Sequence, residues 1–401
     1  MTKRTRSVVT LLAREASLRR RVRQHLRCLG FSKTAEGLLV PPSLDKDAYR
    51  ELHAPQRSER LIQEQEFLAQ KSKSLIEYFA NGNEIDVDRL NVRLELIDQQ
   101  CWQSDLFRFA SLLWSIPVSY GFGRRMRYLV WDEHSGKLVG LFALGDPVFN
   151  LRARDEWIGW SAEDRGKRLV HLLDGYVIGA VPPFNDILGG KLVAALMRTK
   201  EVARDFRERY GRTTGIISGD AKNAHLVAIT TTSALGRSSV YNRLRLAGVT
   251  YLRSLGFTSG FGHFHFPQAL FEDMRAYLKV RKHKYADSHQ YGDGPNWRLR
   301  TIRQALRLLG MDPKLLRHGL SREVFISCLA DNALEILRGK RKRPKYDSLL
   351  SASEVTALAI KRWLKPRSER NSAYRLVTRE GTMARVLGQA PSAVSGRAAS
   401  A

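Results

Sequence analysis

Residues 128–145 read YLVWDEHSGKLVGLFALG, two apolar runs joined by a short turn that ends in Gly136. This pattern commits the chain to an antiparallel hairpin, because the runs are too short for buried helices and the glycine accepts the backbone angles of a tight turn. Further runs extend the sheet: GYVIGAV at 175–181, and HLVAITTTS at 225–233, whose β-branched residues suit a pleated surface. Trp157–Trp160 is expected to add a strand and His263–Phe266 a last one. Helical patterns cover Ala162–Leu173, Leu188–Tyr210 and Ser239–Leu255. The fold class implied is α/β (α+β), a mixed-sheet core with helical N-terminal and C-terminal extensions.

The extensions are basic. From Arg4 to Arg27 eight arginines stand against one acid, with Leu11, Leu12, Leu18, Val22 and Leu26 near helical spacing. This predicts a basic amphipathic helix whose Arg19, Arg20, Arg21 and Arg23 either form a solvated face or grip phosphates. From Lys46 to Trp114 the pattern is helical again, with a break at Asn81-Gly82-Asn83, and helices are expected over Arg298–Leu309 and Arg322–Leu337. Beyond these, fourteen Lys or Arg face four Asp or Glu from Lys340 onward. The run Lys340, Arg341, Lys342, Arg343 is either a phosphate-binding tail or a solvated linker, and the terminal APSAVSGRAASA is expected to be disordered. Four segments follow from this reading: a basic helical region at 1–112, an α/β core at 113–290, a helical extension at 291–345, and a basic helix with a tail at 346–401.

A formal charge of +27 exceeds what solubility requires and draws a protein to a polyanion through counterion release. DNA is the expected partner, with Arg124, Arg125 and Arg237 as further phosphate contacts. A membrane is not expected, since no apolar run approaches the roughly 18 to 20 residues of a spanning helix. No signal peptide is read either, because the first apolar run is broken by Arg14 and Glu15. Three cysteines are too few and too scattered for a disulfide framework, so a reducing cytoplasm is the expected compartment.

Chemistry-bearing residues concentrate between Ser233 and Pro267. Ser238, Ser239 and Tyr241 offer oxygens, Arg237 and Arg243 offer planar anion-binding forks, and His263 and His265 would share one face of a strand. Two imidazoles so placed could chelate magnesium or manganese beside a tyrosine nucleophile, Tyr241 or Tyr277, as in metal-dependent DNA nickases. Against this, the Tyr-x-x-Lys helix that often accompanies such a site is missing, and structural or substrate-contacting histidines are the competing reading. Asp132, Asp146, Asp155 and Asp164 could serve a metal nuclease, Asp146 standing out after a strand and before Pro147, or could cap turns. Phosphate loops fail: Gly189-Gly190-Lys191 has Asn185 where a Walker glycine belongs and Leu192 in place of Ser or Thr, and Gly121-Phe-Gly123 lacks its third glycine. Trp157, Trp160 and Trp297 are candidates to stack on bases or to be buried. The expected catalytic set is Tyr241, Arg243, Ser239 and Asp146.

The succession GRRMRYLVWD, KLVGLFALGDPVFNLRARDEWIGW, GAVPPFNDILGGKLVAAL, TTSALGRSSVYNRLR, SLGFTSGFGHFHFP and GDGPNWRLRTIRQAL resembles the DruA family, named for the Druantia bacterial anti-phage defence system. In that family the segment matching Gly236 to Gly262 usually ends in an arginine-containing glycine turn, whereas here it reads Gly260-Phe-Gly262-His263. The resemblance implies prokaryotic, cytoplasmic, DNA-linked biology with other defence-system subunits as partners, and it supplies no reaction. A second likeness concerns fold. A hairpin, a strand opening into a helix, another strand, and a helix reading SSVYNRLR ahead of LGF resemble the closing half of N-acetyltransferase-like domains. On that likeness Tyr241 takes the general-acid place and Ile187 to Lys191 the cofactor-diphosphate place, although the spaced-glycine loop for acetyl-coenzyme A is absent.

Overall fold

The computed structural model describes residues 3–43, 45–98, 101–119, 121, 123–214, 221–286 and 297–389. The glycine-rich stretch at 291–296 and the tail at 390–401 lie outside them. The chain divides into two compact units, one of residues 1–57, 234–237 and 257–322, the other of 58–233, 238–256 and 323–401. Both units are discontinuous in sequence, so they do not coincide with the four consecutive segments read from the sequence.

The larger unit is built on a seven-stranded sheet: β1 Val92–Leu96, β2 Arg125–Asp132, β3 Lys137–Gly145, β4 Leu172–Ala180, β5 Ala228–Thr232, β6 Arg253–Phe257 and β7 Glu323–Cys328. Their spatial order is β6-β7-β5-β4-β3-β2-β1. The expected hairpin is β2–β3, with Gly136 at φ 67° in its turn. β1 with β2, β3 with β4, and β7 with β5 are also antiparallel, whereas β4 and β5 run parallel. Side chains alternate across this sheet and so feed two layers. Tyr128, Val130, Phe142, Leu173, Ile229 and Phe325 pack under the helices Gly189–Leu196 and Ala352–Ala359. On the opposite face Leu129, Leu141 and Val177 meet the helices Gln65–Leu75 and Trp102–Ser111, while Leu172, Ala228 and Ile326 meet Ile158, Trp160 and Ile336.

The smaller unit is helical. Leu18, Val22 and Leu26 of the expected N-terminal helix, which spans Lys3–Cys28, pack with Leu270, Phe271 and Met274 of Gln268–Val280 and with Ile302 and Leu306 of Trp297–Leu308. Apolar spacing at three and four residues made these helices legible.

Several local expectations are overturned. Trp157 belongs to a helix, Arg152–Ile158, that Gly159 ends at φ 83°. Leu188–Tyr210 is two helices, Gly189–Leu196 and Lys200–Tyr210, parted where Thr199 bridges Leu350. Residues 322–337 begin with β7, because EVFISC finds a strand partner in β5, and only Ala333–Leu337 is helical. Ser239–Leu255 forms turns, a small antiparallel pair of Arg245–Leu246 with Val249–Thr250, and the start of β6. His263–Phe266 is a bend and turn, not a strand.

Gly140 on β3 leaves no room for a side chain: a Cβ there would lie 2.5 Å from the Gly179 carbonyl oxygen and 2.7 Å from Val193 Cγ2. Gly140→Ala is therefore expected to lower stability by about 1–3 kcal/mol, seen as a lower urea midpoint at unchanged slope.

Candidate functional site

Five arginines, Arg60, Arg108, Arg125, Arg127 and Arg209, line one cavity of about 1020 Å³ in the larger unit. Strand alternation explains two of them, since Met126 and Tyr128 are buried in the core and Arg125 and Arg127 take the other face of β2. The helix Trp102–Ser111 turns Ser104, Arg108 and Ser111 to the same cavity at helical spacing. Lys200–Tyr210 contributes Arg209 and Tyr210 from its last turn. A β-bulge completes the lining: Ala143 pairs with Val177 and Leu144 with Gly175, so Tyr176 is the extra residue of β4 and is re-aimed into the cavity.

The cavity wall is net positive, with Asp98 and Asp105 its carboxylates. Arg209 bonds Asp98 at 2.7 Å, Arg108 bonds the buried Glu64 at 2.6 Å, and Arg60 bonds that same carboxylate at 2.6 Å. Arg127 donates to Ser104 Oγ at 3.0 Å and lies over the Phe107 ring. Burial pushes the Tyr176 hydroxyl up to about 12 while the Arg127 and Arg125 charges pull it down, so it remains a neutral donor at physiological pH. Fixed guanidinium forks, neutral hydroxyls and aromatic rings together suit a ligand with phosphates and flat bases.

Of the residues singled out from sequence, Arg125 lines this cavity and Arg243 lines a smaller one. Arg124 does not face solvent: it bonds Asp146 at 2.7 Å and donates to the carbonyls of Val170 and Leu172, at 2.6 and 3.0 Å. Asp146 is thus the partner of a structural arginine, and Gly123 is glycine because a Cβ would fall 1.9 Å from Asp146 Oδ2. Asp132 caps the hairpin turn through Ser135, Asp164 closes a capping box with Ser161, and Asp155 pairs with Arg154 and Arg165. Asp132 and Asp164 thus cap a turn and a helix, whereas Asp146 and Asp155 pair with arginines. Tyr277 is fully buried and donates to Glu15, and Tyr241 is part-buried, with burial first and then Asp174 raising its hydroxyl and a bond with Thr231 opposing them. Neither is poised as a nucleophile. Ser239 and Arg237 are exposed, and so are Arg20 and Arg23, whereas Arg21 pairs with Asp273 and Arg19 donates to the Leu309 carbonyl. Lys340, Arg341, Lys342 and Arg343 are exposed on an ordered loop, whose Arg343 carbonyl accepts from Asn332 at 3.0 Å. Trp160 is buried on the Leu337 carbonyl and Trp297 packs edge-on to Phe271, so both serve packing.

His263 and His265 belong to the smaller unit and Tyr241, Arg243 and Ser239 to the larger. Among the described residues no group of three or more His, Cys, Asp or Glu is placed to hold a metal ion. The expected histidine pair is replaced by a histidine-rich core. His265 bonds the Leu315 carbonyl at 2.7 Å, His318 packs edge-on to Phe264, and His53 stacks on Phe264 while sharing a 3.0 Å hydrogen bond with Arg322. Burial, with neighbouring positive charge, lowers His53, His263 and His265 to about 4 and His318 to about 3.

The sequence reading missed Asp174, whose carboxyl is pushed up to about 6 by burial, opposed by the 2.7 Å bond from Thr230 and by the Arg154 charge. It also missed Arg60, Arg108, Arg127 and Arg209, which are far apart in the chain and share no motif.

Because the four histidines protonate more readily unfolded, near 6.5, than folded, the unfolded chain binds more protons between pH 6.5 and 4. Their contribution is therefore complete above pH 6.5 and lost as pH falls toward 4. The unfolding free energy from urea titrations is expected to drop over that window by an amount on the order of several kcal/mol, lowering the midpoint. An unchanged midpoint from pH 6.5 to 4.5 would contradict a neutral histidine core.

Fold and cavity define the class: a basic protein with a mixed α/β sheet and an arginine-lined cleft. The chain belongs to the DruA family, since the family described as Druantia protein DruA matches residues 43–339. It is similar to the Druantia protein DruA of Escherichia coli (strain UMEA 4076-1), with 53% identity over 369 residues, covering 92% of this chain and 91% of that protein. No solved structure matches. Among the described residues no helix is long and apolar enough to cross a membrane.

Proposed function

We propose that this DruA-family chain is a DNA-binding subunit of a Druantia anti-phage defence system, working in the cytoplasm with other subunits and holding a nucleic-acid strand in the five-arginine cleft. The observation that carries this reading is the convergence of Arg60, Arg108, Arg125, Arg127 and Arg209 with Tyr176, Tyr210 and Phe107 around one cavity of about 1020 Å³. The arginines meet phosphates and the rings give bases a flat surface. The net charge of +27 brings the strand to the molecule, and exposed Arg20, Arg23 and Arg237 of the smaller unit add to that charge without specifying sequence.

The element succession of hairpin, β4, helix Gly189–Leu196 and parallel β5 supports an N-acetyltransferase-like layout for the sheet. Acyl transfer gains nothing from it, because the tyrosine-bearing helix is absent.

Anisotropy titrations against labelled DNA at several salt concentrations test the proposal. Affinity should fall steeply with salt, with a logarithmic slope of about −3 to −5. Arg127→Ala should weaken binding by about threefold to tenfold for every sequence tried and make the slope shallower by about 1. Binding that is absent at low salt, or indifferent to the cleft variants, would overturn it.

A further inference from the structure

A second cavity in the larger unit, of about 480 Å³, is lined by Arg243, Arg245, Arg253 and Arg362 together with Thr250, Leu252 and Ser254. Among the described residues no carboxylate lines it. Glu323, which accepts hydrogen bonds from the wall residue Ser254 and from Asn242, is buried and does not line the cavity. None of the four guanidiniums makes an ion pair or side-chain hydrogen bond among the described residues, whereas Arg60, Arg108, Arg209 and Arg127 of the larger cleft are tied to Glu64, Asp98 and Ser104. Four cations held together without a counter-charge repel one another, and a folded chain keeps such an arrangement where an anion completes it.

The backbone is shaped to hold them there. In Arg243-Leu244-Arg245-Leu246 the leucines are fully buried and the arginines exposed, so alternation sets both guanidiniums on one side. A tight turn at Ala247 and Gly248, both at positive φ, closes the pair Arg245–Leu246 and Val249–Thr250, and Arg243 itself sits at φ 68°. A left-handed backbone at Arg243 and Ala247 is disfavoured for residues with a Cβ, and such outliers gather where binding geometry demands them. The fourth arginine comes from a separate element. Residues Ile360–Leu364 form a π-turn, and Pro366 has no N–H to give the Arg362 carbonyl, so the helix widens where Arg362 projects. Lys191 lies close to the same charges: its ammonium stands over the Trp363 ring, and burial together with Arg362 and Arg243 lowers its pKa.

We infer that this pocket is a binding site for a group carrying two or more adjacent phosphates, either the polyphosphate of a nucleotide or neighbouring phosphates of a nucleic-acid backbone. The inference does not rest on the DNA-binding reading of the larger cleft. The full-length protein is titrated calorimetrically with sodium tripolyphosphate and with ATP, and by anisotropy with a short labelled single strand. Arg245→Ala and Arg362→Ala are the variants, both exposed side chains on different elements, with far-ultraviolet circular dichroism to verify their folds. Wild-type protein should bind tripolyphosphate, and each variant should bind it about tenfold more weakly. If ATP affinity falls with it while strand affinity holds, the ligand is a nucleotide; if strand affinity falls as well, the pocket takes backbone phosphates. Arg89→Ala, at an exposed arginine that lines neither cavity, should leave tripolyphosphate binding unchanged, and DNA binding by the larger cleft is read separately through Arg127→Ala in the anisotropy titration. The inference is overturned if wild-type protein does not bind tripolyphosphate, or if both variants bind it like the wild type.

Discussion

The parallel pairing of β4 with β5 is the constraint on which the rest of the larger unit depends. Parallel neighbours cannot be joined by a tight turn, so the chain between Ala180 and Ala228 has to cross back over one face of the sheet. It does so through the helices Gly189–Leu196 and Lys200–Tyr210, whose Leu192, Val193, Val202 and Phe206 seal that face. The same crossover carries Lys191 toward the smaller arginine pocket and Arg209 and Tyr210 to the larger cleft. The bulge at Tyr176 lies on β4, one of the two strands of this pairing, so the crossover and β4 each contribute to the cleft lining.

Arginine has two jobs in this protein, and burial separates them. Arg154 is fully buried and donates to the carbonyls of Val148 and Phe149; Arg198 does the same to Cys328 and Ser348, and Arg379 to Phe79. These side chains tie loops to the core by satisfying carbonyls that no helix or strand serves. Another set, such as Arg125, Arg127, Arg243 and Arg245, stands around cavities, so composition alone overstates the charge free to meet a ligand.

Much of the fold was legible because it is periodic. The β2–β3 hairpin, GYVIGAV in β4, HLVAITTTS around β5, and the helices Lys3–Cys28 and Trp297–Leu308 all carry their pattern within a few residues. The failures share a cause. EVFISC in β7 and SLGF in β6 are strands because they add to the far edge of a sheet whose other members lie elsewhere in the chain. His263 and His265 suggested a chelating strand, yet they sit on a bend where the His265 ring packs among Phe31, Phe264 and Phe266, and burial keeps both imidazoles neutral. For the candidate sites, Arg125 and Arg243 were named from sequence. Arg245 was within reach of the same reading, since it lies two residues from Arg243 between buried leucines.

By itself the sequence determined a mixed α/β sheet with basic helical extensions, membership of the DruA family, and an excess of positive charge suited to a polyanion. These follow from local periodicity, from an extended succession of motifs and from composition, none of which needs to know what lies beside what. Only the tertiary structure decided which arginines are structural and which surround a cavity. That choice depends on desolvation and on partners such as Asp146, Glu64 and the Val170 carbonyl, which come near only once the sheet has closed and its helices are laid across it.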